Sequence, residues 1–277
     1  MPAVLRETVP PSLLCRKDNE NRAQYKEKHR FYFAFRSICT TFGLRSKVLS
    51  FRNKSKKSLF ALYFTHLFVP LHTIMEKRIK NIVFDLGGVL VGLDGQRSIE
   101  AFDKLGCEAV SQYIIDHRTE DLFYRIELGL ISTHEFCEEI REMTDTAATD
   151  DEMVAAWNAL LTELTANRAQ RLLQLREAGI RLFLLSNTND MHWQHCAHKL
   201  FPADVLEAFE QVFLSYELQL AKPDRRIFEE VLRQTGITAN ETLFIDDNRD
   251  NIATAQTLGM HTYLNHTIDE WTEALPL

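Results

Sequence analysis

The sequence predicts an α/β fold, a Rossmann-like parallel sheet wrapped by helices, with a helical cap inserted after the first strand. Three observations predict it: short apolar runs alternate with helix-like segments, each run is apolar on both faces, and residues 92–165 show helical patterns alone. Runs that are apolar on both faces are typical of parallel strands buried between two layers of helices.

The first predicted strand spans residues 80–84 and ends at Asp85, where Gly87 and Gly88 follow at once. Glycine pairs of this kind mark a turn, so the strand stops there. Four more short apolar runs predict strands over residues 181–185, 211–215, 243–245 and 261–264.

Amphipathic periodicity predicts helices between these strands, over residues 167–178, 223–236 and 249–258. Pro223 suits the first turn of a helix, and Gly179 and Gly259 suit the position just after the last turn. This alternation of strand and helix indicates a core that covers residues 75–91 and 166–277.

The segment between the two parts of this core is helical and charged over residues 97–163, with its last helix predicted over residues 150–164. Ile99, Phe102 and Leu105 follow one another at helical spacing. A helical stretch that interrupts an α/β core after its first strand predicts an inserted cap domain over residues 92–165.

The chain carries 32 Lys and Arg residues against 39 Asp and Glu residues, a net charge of −7. Residues 1–74 hold 14 basic and 4 acidic residues, whereas residues 75–277 hold 18 and 35. The acidic body argues against nucleic acid as a partner, because phosphate backbones attract basic surfaces. The five cysteines are widely spaced, without a CxxC pair, which indicates a reducing, cytoplasmic location and no zinc site.

Residues 1–74 differ in character from the rest of the chain. A basic cluster precedes an apolar run over residues 59–74, in the order of a signal or anchor segment. His66, Pro70 and His72 interrupt this run, which falls short of the ~20 residues that a membrane-spanning helix needs. We expect an extension outside the functional core and no membrane partner. Membrane contact through residues 52–74 and a structured extension are the alternatives.

Polar residues follow the predicted strands at the points where these strands end. Asp85 follows the first strand, Ser186 the second, and Asp246 and Asp247 the fourth. The carboxyl ends of parallel strands meet at one edge of a sheet and form the ligand crevice. Carboxylates gathered there repel one another, and a hard divalent cation such as Mg²⁺ relieves the repulsion. Lys222 supplies a further positive charge.

These residue types suit phosphoryl transfer to a carboxylate. Asp85 is the predicted nucleophile, which attacks phosphorus and forms an aspartyl-phosphate that water then hydrolyses. We expect Ser186 Oγ to bind the phosphate and Lys222 to hold both the nucleophile and the phosphate. Gly87 and Gly88 have no Cβ atom, so the backbone can approach the substrate closely.

Four segments of the chain, in this order, resemble the motifs of the haloacid dehalogenase-like (HAD) hydrolase superfamily. They are residues 82–90 (IVFDLGGVL), 185–189 (LSNTN), 222–223 (KP) and 245–251 (IDDNRDN). Within subfamily IA, the chain most resembles the α-D-glucose-1-phosphate phosphatase-like group. The turn over residues 186–189 with His192 shortly after it, and the cap stretch 127–132 (ELGLIS), carry this closer resemblance.

The resemblance implies a Rossmann-like core with an α-helical cap, Mg²⁺ as the cofactor, and a small phosphorylated metabolite as the partner, such as a hexose 1-phosphate. The catalytic residues that it implies are Asp85, Ser186 and Lys222. The metal site that it implies is formed by Asp85, the Gly87 carbonyl, Asp247 and, through water, Asp246. The residues that we expect to contact the substrate are Ser186, Asn187, Lys222, Arg97, Glu127 and His192.

One position departs from the common pattern of this superfamily. Most of its phosphatases carry a second aspartate two residues after the nucleophile, as the general acid and base, and here that position is Gly87. General acid catalysis contributes typically ~10²–10⁴-fold, so we expect poor leaving groups to react slowly. The glucose-1-phosphatase-like group also has glycine here. A replacement acid is expected from the cap or from His192, with no residue singled out.

Two other functions stay open. The 2-haloacid dehalogenases also lack this acid, but they need no metal, and the pair Asp246 and Asp247 argues against them. A non-catalytic phosphate-binding protein on the same fold is favoured by Gly87, whereas the presence of Asp85 and Lys222 counts against it. The oligomeric state is not indicated by the sequence.

Overall fold

A computed structural model describes residues 79–115 and 122–275 of the chain. The predicted extension over residues 1–74, with its basic cluster and apolar run, lies outside the described residues. Among the helices of the described ranges, none is both long enough and apolar enough to cross a membrane.

Five strands form one sheet, in which every neighbouring pair is parallel. The strands are β1 (Asn81–Phe84), β2 (Arg181–Ser186), β3 (Phe209–Leu214), β4 (Thr242–Asp246) and β5 (His261–Leu264). Their order in the sheet is β3-β2-β1-β4-β5, so the direction of winding reverses beside β1. The predicted fold class is therefore confirmed, and the reversal point is where open α/β sheets bind their ligands.

The helices fall into two sets. The helices inserted between β1 and β2 are α1 (Gly95–Lys104), α2 (Glu108–Ile115), α3 (Leu122–Glu127), α4 (Thr133–Thr144) and α5 (Asp150–Asn158), followed by α6 (Ala166–Glu177). The helices after β2 are α7 (Asp190–His195), α8 (Ala203–Leu206), α9 (Ser215–Leu218), α10 (Arg225–Thr235), α11 (Arg249–Thr257) and α12 (Glu270–Ala274). A π-helical turn (Cys196–Leu200) and a 3₁₀ turn (Ala239–Glu241) complete the set.

Both faces of the sheet are apolar, as the strand patterns predict. Successive residues of a strand point to opposite faces. In β2, Leu182 and Leu184 belong to the core cluster that includes α6 and α12, whereas Phe183 and Leu185 belong to the cluster that includes α10 and α11. The sheet is thus the middle of three layers.

The inserted helices have an apolar core of their own. Phe123 of α3 lies at its centre, with its ring centroid 4.7 Å from Trp157 of α5 and 5.7 Å from Phe136 of α4. Two capping boxes, at Ser132 and Thr149, define where α4 and α5 begin. The predicted cap over residues 92–165 contains these helices, and its boundaries stay a prediction.

Two predicted helix boundaries were wrong. The last inserted helix ends at Asn158 rather than near residue 164, because Thr162 N donates to Gly92 O (2.8 Å) and Asp94 N donates to Leu160 O (2.8 Å). The segment after α5 (residues 159–165) therefore pairs with the segment before α1 (residues 92–94), and the helix does not continue. Helix α10 begins at Arg225 and not at Pro223, because the Asp224 carboxylate accepts from the Arg226 N–H (2.9 Å) and caps the helix.

Arg168 of α6 binds three separate parts of the chain. The residue is 3% exposed. Its guanidinium donates to the carbonyl oxygens of Leu90 and Glu163, and its Nε lies 3.1 Å from a carboxylate oxygen of Asp269. A planar group with five donors can bridge several acceptors at once. The loop after β1, the segment after α5 and the C-terminal segment are therefore all bound by the same side chain.

Trp271 of α12 supports the loop after β1 from below. Its side chain is fully buried, its ring centroid lies 4.9 Å from that of Phe84, and its Nε1–H donates to Val89 O (3.0 Å). Replacing Trp271 by Phe keeps an aromatic ring but removes this donor and leaves a small void. We expect the free energy of unfolding to fall by about 2 kcal/mol, measured by urea denaturation.

The matched control is Trp193→Phe. Trp193 is only partly buried, at the edge of the same apolar cluster, so its replacement should cost less than about 1 kcal/mol. Equal losses for the two variants would contradict the role that we give to the Trp271 hydrogen bond.

Candidate active site

The strand register brings the predicted site residues to one edge of the sheet. Phe84, the last residue of β1, is level with Leu184 of β2 and Ile245 of β4. Asp85 N donates to Ile245 O (2.9 Å), so the next residue of the chain, Asp85, lies beside Asp246. Ser186 ends β2 on the other side and is 2% exposed.

A buried ammonium group lies at the centre of this edge. Lys222 Nζ lies 2.8 Å from Asp85 Oδ1, 2.8 Å from Asp246 Oδ2 and 3.0 Å from the carbonyl oxygen of Leu185. An ammonium group has three donors, and here all three have an acceptor. Because the Lys222 side chain is 2% exposed and that of Asp246 is fully buried, the ion pair is shielded from water.

The charges of this group shift the acidity of its members. Burial by itself lowers the pKa of Lys222, but the carboxylates of Asp246 and Asp85 raise it more, so the net shift is upward and the lysine stays charged. Burial raises the pKa of Asp85 above the usual range of a carboxyl group, Lys222 opposes this rise, and Asp246 and Asp247 add to it. Without a cation beside it, the ionised form of Asp85 is therefore disfavoured.

Asp246 has its oxygens almost filled by protein donors. Oδ1 accepts from Asn248 N (2.7 Å) and Asn251 Nδ2 (3.0 Å), and Oδ2 accepts from Lys222 Nζ and from the same Asn251 amide (3.0 Å). This carboxylate positions the lysine. Such a saturated group agrees with the expectation that Asp246 acts on a metal through water, which stays a prediction.

The side chain of Asn187 is bound to the backbone of Lys222. Asn187 Nδ2 donates to Lys222 O (2.8 Å), and Lys222 N donates to Asn187 Oδ1 (2.8 Å). This two-point contact ties the loop after β2 to the lysine and occupies the amide that we expected on the substrate. The observed geometry favours a positioning role for Asn187 over direct substrate contact.

Three carboxylates converge beside the lysine. Asp85, Asp246 and Asp247 each offer an oxygen within 4.8 Å of the others, and Asp247 is exposed. Gly88 makes this approach possible: it has φ +75°, and a Cβ there would lie 2.5 Å from Asp247 Oδ2. An all-oxygen donor set of this charge suits a hard divalent cation such as Mg²⁺.

The structure provides no acid at position 87. A Cβ built on Gly87 would lie 3.1 Å from Cδ1 of Leu93, a residue that is 53% exposed. The space beside the nucleophile is therefore bounded by an apolar side chain. Position 87 therefore offers no carboxyl group that could protonate a leaving group.

His192 of α7 is packed against α5. Its ring is stacked on Trp157 with 4.9 Å between centroids, Nε2 donates to Trp157 O (3.3 Å), and Nδ1 accepts from Asn189 Nδ2 (3.4 Å). Burial lowers the pKa of His192 to about 4, so the ring is neutral at pH 7. This arrangement favours packing over the expected contact with substrate or role as an acid.

The other two expected substrate contacts lie on the inserted helices. Arg97 is on an exposed part of α1, near its beginning. Glu127 ends α3 and is half-buried, and burial raises the pKa of its carboxyl group to about 7. Its backbone is attached to the core, because Ser215 Oγ–H donates to Glu127 O (2.6 Å).

Sequence reasoning overlooked two polar residues at strand ends. Ser215 follows β3, and its hydroxyl also accepts from Thr188 N (2.9 Å) in the loop after β2. Asn265 follows β5, and its Nδ2 donates to Gly88 O (3.0 Å). Ser215 is the last residue of the predicted strand 211–215, and Asn265 directly follows the predicted strand 261–264. The pattern that indicated Asp85, a polar residue at the end of an apolar strand, therefore also indicates these two.

The fold and this edge of the sheet define a hydrolase of the α/β class with an aspartate after β1 and a buried lysine. A family model of haloacid dehalogenase-like hydrolases matches residues 79–259. The chain belongs to this family.

Several similar proteins match this chain over nearly their whole length. A D-ribitol-5-phosphate phosphatase of Bacteroides thetaiotaomicron is 30% identical over 200 residues, which cover 71% of this chain and 97% of that protein. A crystal structure of a HAD family enzyme of Bacteroides thetaiotaomicron, in complex with magnesium and inorganic phosphate, is 39% identical with a TM-score of 0.67, and covers 72% of this chain and 100% of that one. A HAD-like hydrolase of Porphyromonas gingivalis is 34% identical, with a TM-score of 0.64, over 71% of this chain and 96% of that one.

The raised pKa of Glu127 predicts a pH-dependent cost in stability. A carboxyl group whose pKa is 4.5 in the unfolded chain and about 7 in the folded one binds its proton more tightly when folded. Stability therefore falls as the pH rises from about 4.5 to about 7. One pKa unit corresponds to 1.36 kcal/mol, and water still reaches part of this group, so Glu127→Gln should remove a penalty of about 1–3 kcal/mol at pH 8 and almost none at pH 4.

The measurement is chemical denaturation of the wild type and Glu127→Gln between pH 4 and pH 8. Glu142→Gln is the matched control, because Glu142 is an exposed glutamate of the inserted helix α4. Parallel stability curves for the wild type and Glu127→Gln would show that the carboxyl group is not desolvated.

Proposed function

We propose that this chain is a Mg²⁺-dependent phosphatase that hydrolyses a small phosphorylated sugar or sugar alcohol through an aspartyl-phosphate at Asp85. The observation that carries the proposal is the pairing of Asp85 with Lys222, 2.8 Å apart, beside a carboxylate cluster at the sheet edge. A bare carboxylate repels a phosphate dianion, and this site supplies the positive charge that the attack requires.

Each residue near the nucleophile has a role in this proposal. Asp85 attacks phosphorus in line and expels the alcohol. Lys222 neutralises the charge on the nucleophile and on the phosphate oxygen beside it, and Asp246 and Asn187 hold the lysine in place. Ser186, at the end of β2, donates its hydroxyl to another phosphate oxygen. Water then cleaves the acyl phosphate and restores Asp85.

The residues present fit a magnesium ion. Asp85, Asp247 and the Gly87 carbonyl would hold it, with Asp246 contributing through water, and three converging carboxylates near one ammonium leave negative charge for it to balance. When bound, Mg²⁺ neutralises the charge between the nucleophile and the phosphate. The similar enzyme crystallised with magnesium and inorganic phosphate supports this assignment.

The substrate class rests on the relatives and on the absence of an acid at Gly87. A D-ribitol-5-phosphate phosphatase matches over nearly its whole length, which supports a polyol or sugar phosphate. A hexose 1-phosphate, the substrate expected from the closer resemblance, has a better leaving group than a primary polyol phosphate. Both therefore belong in the first assay.

The test measures phosphate release from ribitol 5-phosphate and glucose 1-phosphate, with Mg²⁺ and with EDTA. We expect turnover that EDTA abolishes and that Asp85→Asn lowers by more than about 10³-fold, because the nucleophile is lost. Asp103→Asn is the control, since Asp103 is exposed on α1. Turnover that survives in Asp85→Asn would overturn the proposal, and halide release from a 2-haloacid in place of phosphate release would identify a dehalogenase.

Gly88→Ala tests the metal site separately. The added Cβ would lie 2.5 Å from Asp247 Oδ2 and needs an unfavourable positive φ. We expect the Mg²⁺ concentration for half-maximal activity to rise about tenfold, which corresponds to 1.4 kcal/mol of binding free energy. Gly95→Ala is the matched control, because no atom lies within 4 Å of a Cβ built there. An unchanged Mg²⁺ requirement would exclude Asp247 as a ligand.

A further inference from the structure

Glu127 carries a carboxyl group that the fold has desolvated but not compensated. Burial raises its pKa to about 7, and no ion pair or side-chain hydrogen bond reaches its carboxylate from the residues that the structure describes. Buried carboxyl groups are normally paired, because an unpaired one weakens the fold. A group kept in this state at a cost in stability is a candidate for function.

The Ser215 hydroxyl connects the end of α3 to the loop that follows the predicted phosphate-binding serine, Ser186. The Ser215 hydroxyl donates to Glu127 O (2.6 Å) and accepts from Thr188 N (2.9 Å), two residues after Ser186. Gly129, with φ +62°, packs against the carbonyl group of Tyr216 so closely that no side chain would fit. The inserted helices therefore rest on the carboxyl edge of the sheet at this point.

The side chain of Glu127 lies on the inward face of α3. Residues four apart share one face of a helix, and Phe123, four residues earlier, is 3% exposed and packs 4.7 Å from Trp157. Trp157 in turn stacks on His192 of the core helix α7. The face that carries Glu127 is thus directed toward the apolar interior, and the side chain itself is half-buried.

In-line attack by Asp85 would place the leaving group on the side of the inserted helices. When Asp85 attacks phosphorus, the leaving oxygen lies on the far side of the phosphorus atom, away from the sheet and toward the inserted helices. Position 87 beside the nucleophile is glycine, and the space near it is bounded by Leu93. An acid on the inserted helices would therefore be placed to protonate a poor leaving group.

We propose that Glu127 is the proton donor for the leaving group, the role that Gly87 cannot fill; this rests on the proposed phosphatase function. In the first step, the phosphorus–oxygen bond of the ester breaks as Asp85 forms its bond to phosphorus, and the Glu127 proton passes to the leaving alkoxide. In the second step, water attacks phosphorus, its proton passes to the Glu127 carboxylate, and phosphate and Asp85 are released. Protons and charge balance over the two steps.

The acidity of Glu127 suits this role. A pKa of about 7, raised by burial, keeps both protonation states available at neutral pH. The ionisable groups on the elements around the end of α3 are Arg125 and Glu139, which pair with each other, Asp190 and His192 on α7, and Tyr216 and Glu217 on α9. His192 is neutral at pH 7, and burial alone accounts for the shift of Glu127.

The experiment compares two leaving groups in the full-length chain with saturating Mg²⁺. Alkyl phosphates such as ribitol 5-phosphate need a proton on the leaving oxygen, whereas nitrophenolate leaves p-nitrophenyl phosphate without one. For Glu127→Gln we expect kcat on ribitol 5-phosphate to fall by about 10²-fold or more with little change in KM. On p-nitrophenyl phosphate, kcat should fall only a few-fold. Glu142→Gln, the exposed control on α4, should match the wild type.

The pH profile and a rescue variant give independent readouts. In the wild type, kcat on the alkyl phosphate should decline above about pH 7 as Glu127 loses its proton, and this decline should be absent in Glu127→Gln. Gly87→Asp combined with Leu93→Ala, which opens the space near position 87, should restore activity to Glu127→Gln on the alkyl phosphate.

Each other outcome would overturn the proposal in a recognisable way. A raised KM with unchanged kcat would make Glu127 a group that binds substrate hydroxyls. Equal losses on both substrates would make its role structural. Asp85→Asn separates this inference from the proposed function: if that variant retains activity on both esters, the phosphatase mechanism itself fails, whatever Glu127 does.

Discussion

The buried ion pair between Lys222 and the two carboxylates Asp85 and Asp246 is the interaction on which this edge of the molecule depends. The lysine side chain is only 2% exposed, so its charge is stable only while both anions and the Leu185 carbonyl remain about 3 Å away. Most of the contacts around the site serve this geometry. Asn187 holds the lysine backbone, and Asn251 holds the carboxylate of Asp246.

Several side chains that lie far away in sequence form hydrogen bonds with the loop after β1. Trp271 binds Val89 O, Asn265 binds Gly88 O, and Arg168 binds Leu90 O. Consecutive backbone carbonyls of one loop thus each receive a side chain from a different element. Such support holds Asp85 in one position, which matters because in-line attack tolerates little displacement of the nucleophile.

The sequence predicts the sheet and the strand-end residues well because both depend on local patterns. Apolar runs such as residues 243–245 and the polar residue after each are visible without knowledge of contacts. It could not show that Asn187 is bound to Lys222 or that His192 stacks on Trp157, because those contacts join elements far apart in sequence. The end of α5 was misplaced for the same reason. The residues after Asn158 form hydrogen bonds with Gly92 and Asp94, which lie far earlier in the chain, instead of continuing the helix.

The charge of the site also bears on the proposed reaction. Asp85, Asp246 and Asp247 converge near one lysine, and their ionised forms together would repel a phosphate dianion. Asp85, Asp247 and the Gly87 carbonyl would hold a divalent ion there, which would balance the excess negative charge. The same argument explains why a proton donor can lie on the inserted helices: burial raises the pKa of Glu127 to about 7, so part of the group keeps its proton at neutral pH, away from the carboxylate cluster. Because the proposed acid lies on the inserted helices and the nucleophile lies at the sheet edge, the pKa of each can be set independently.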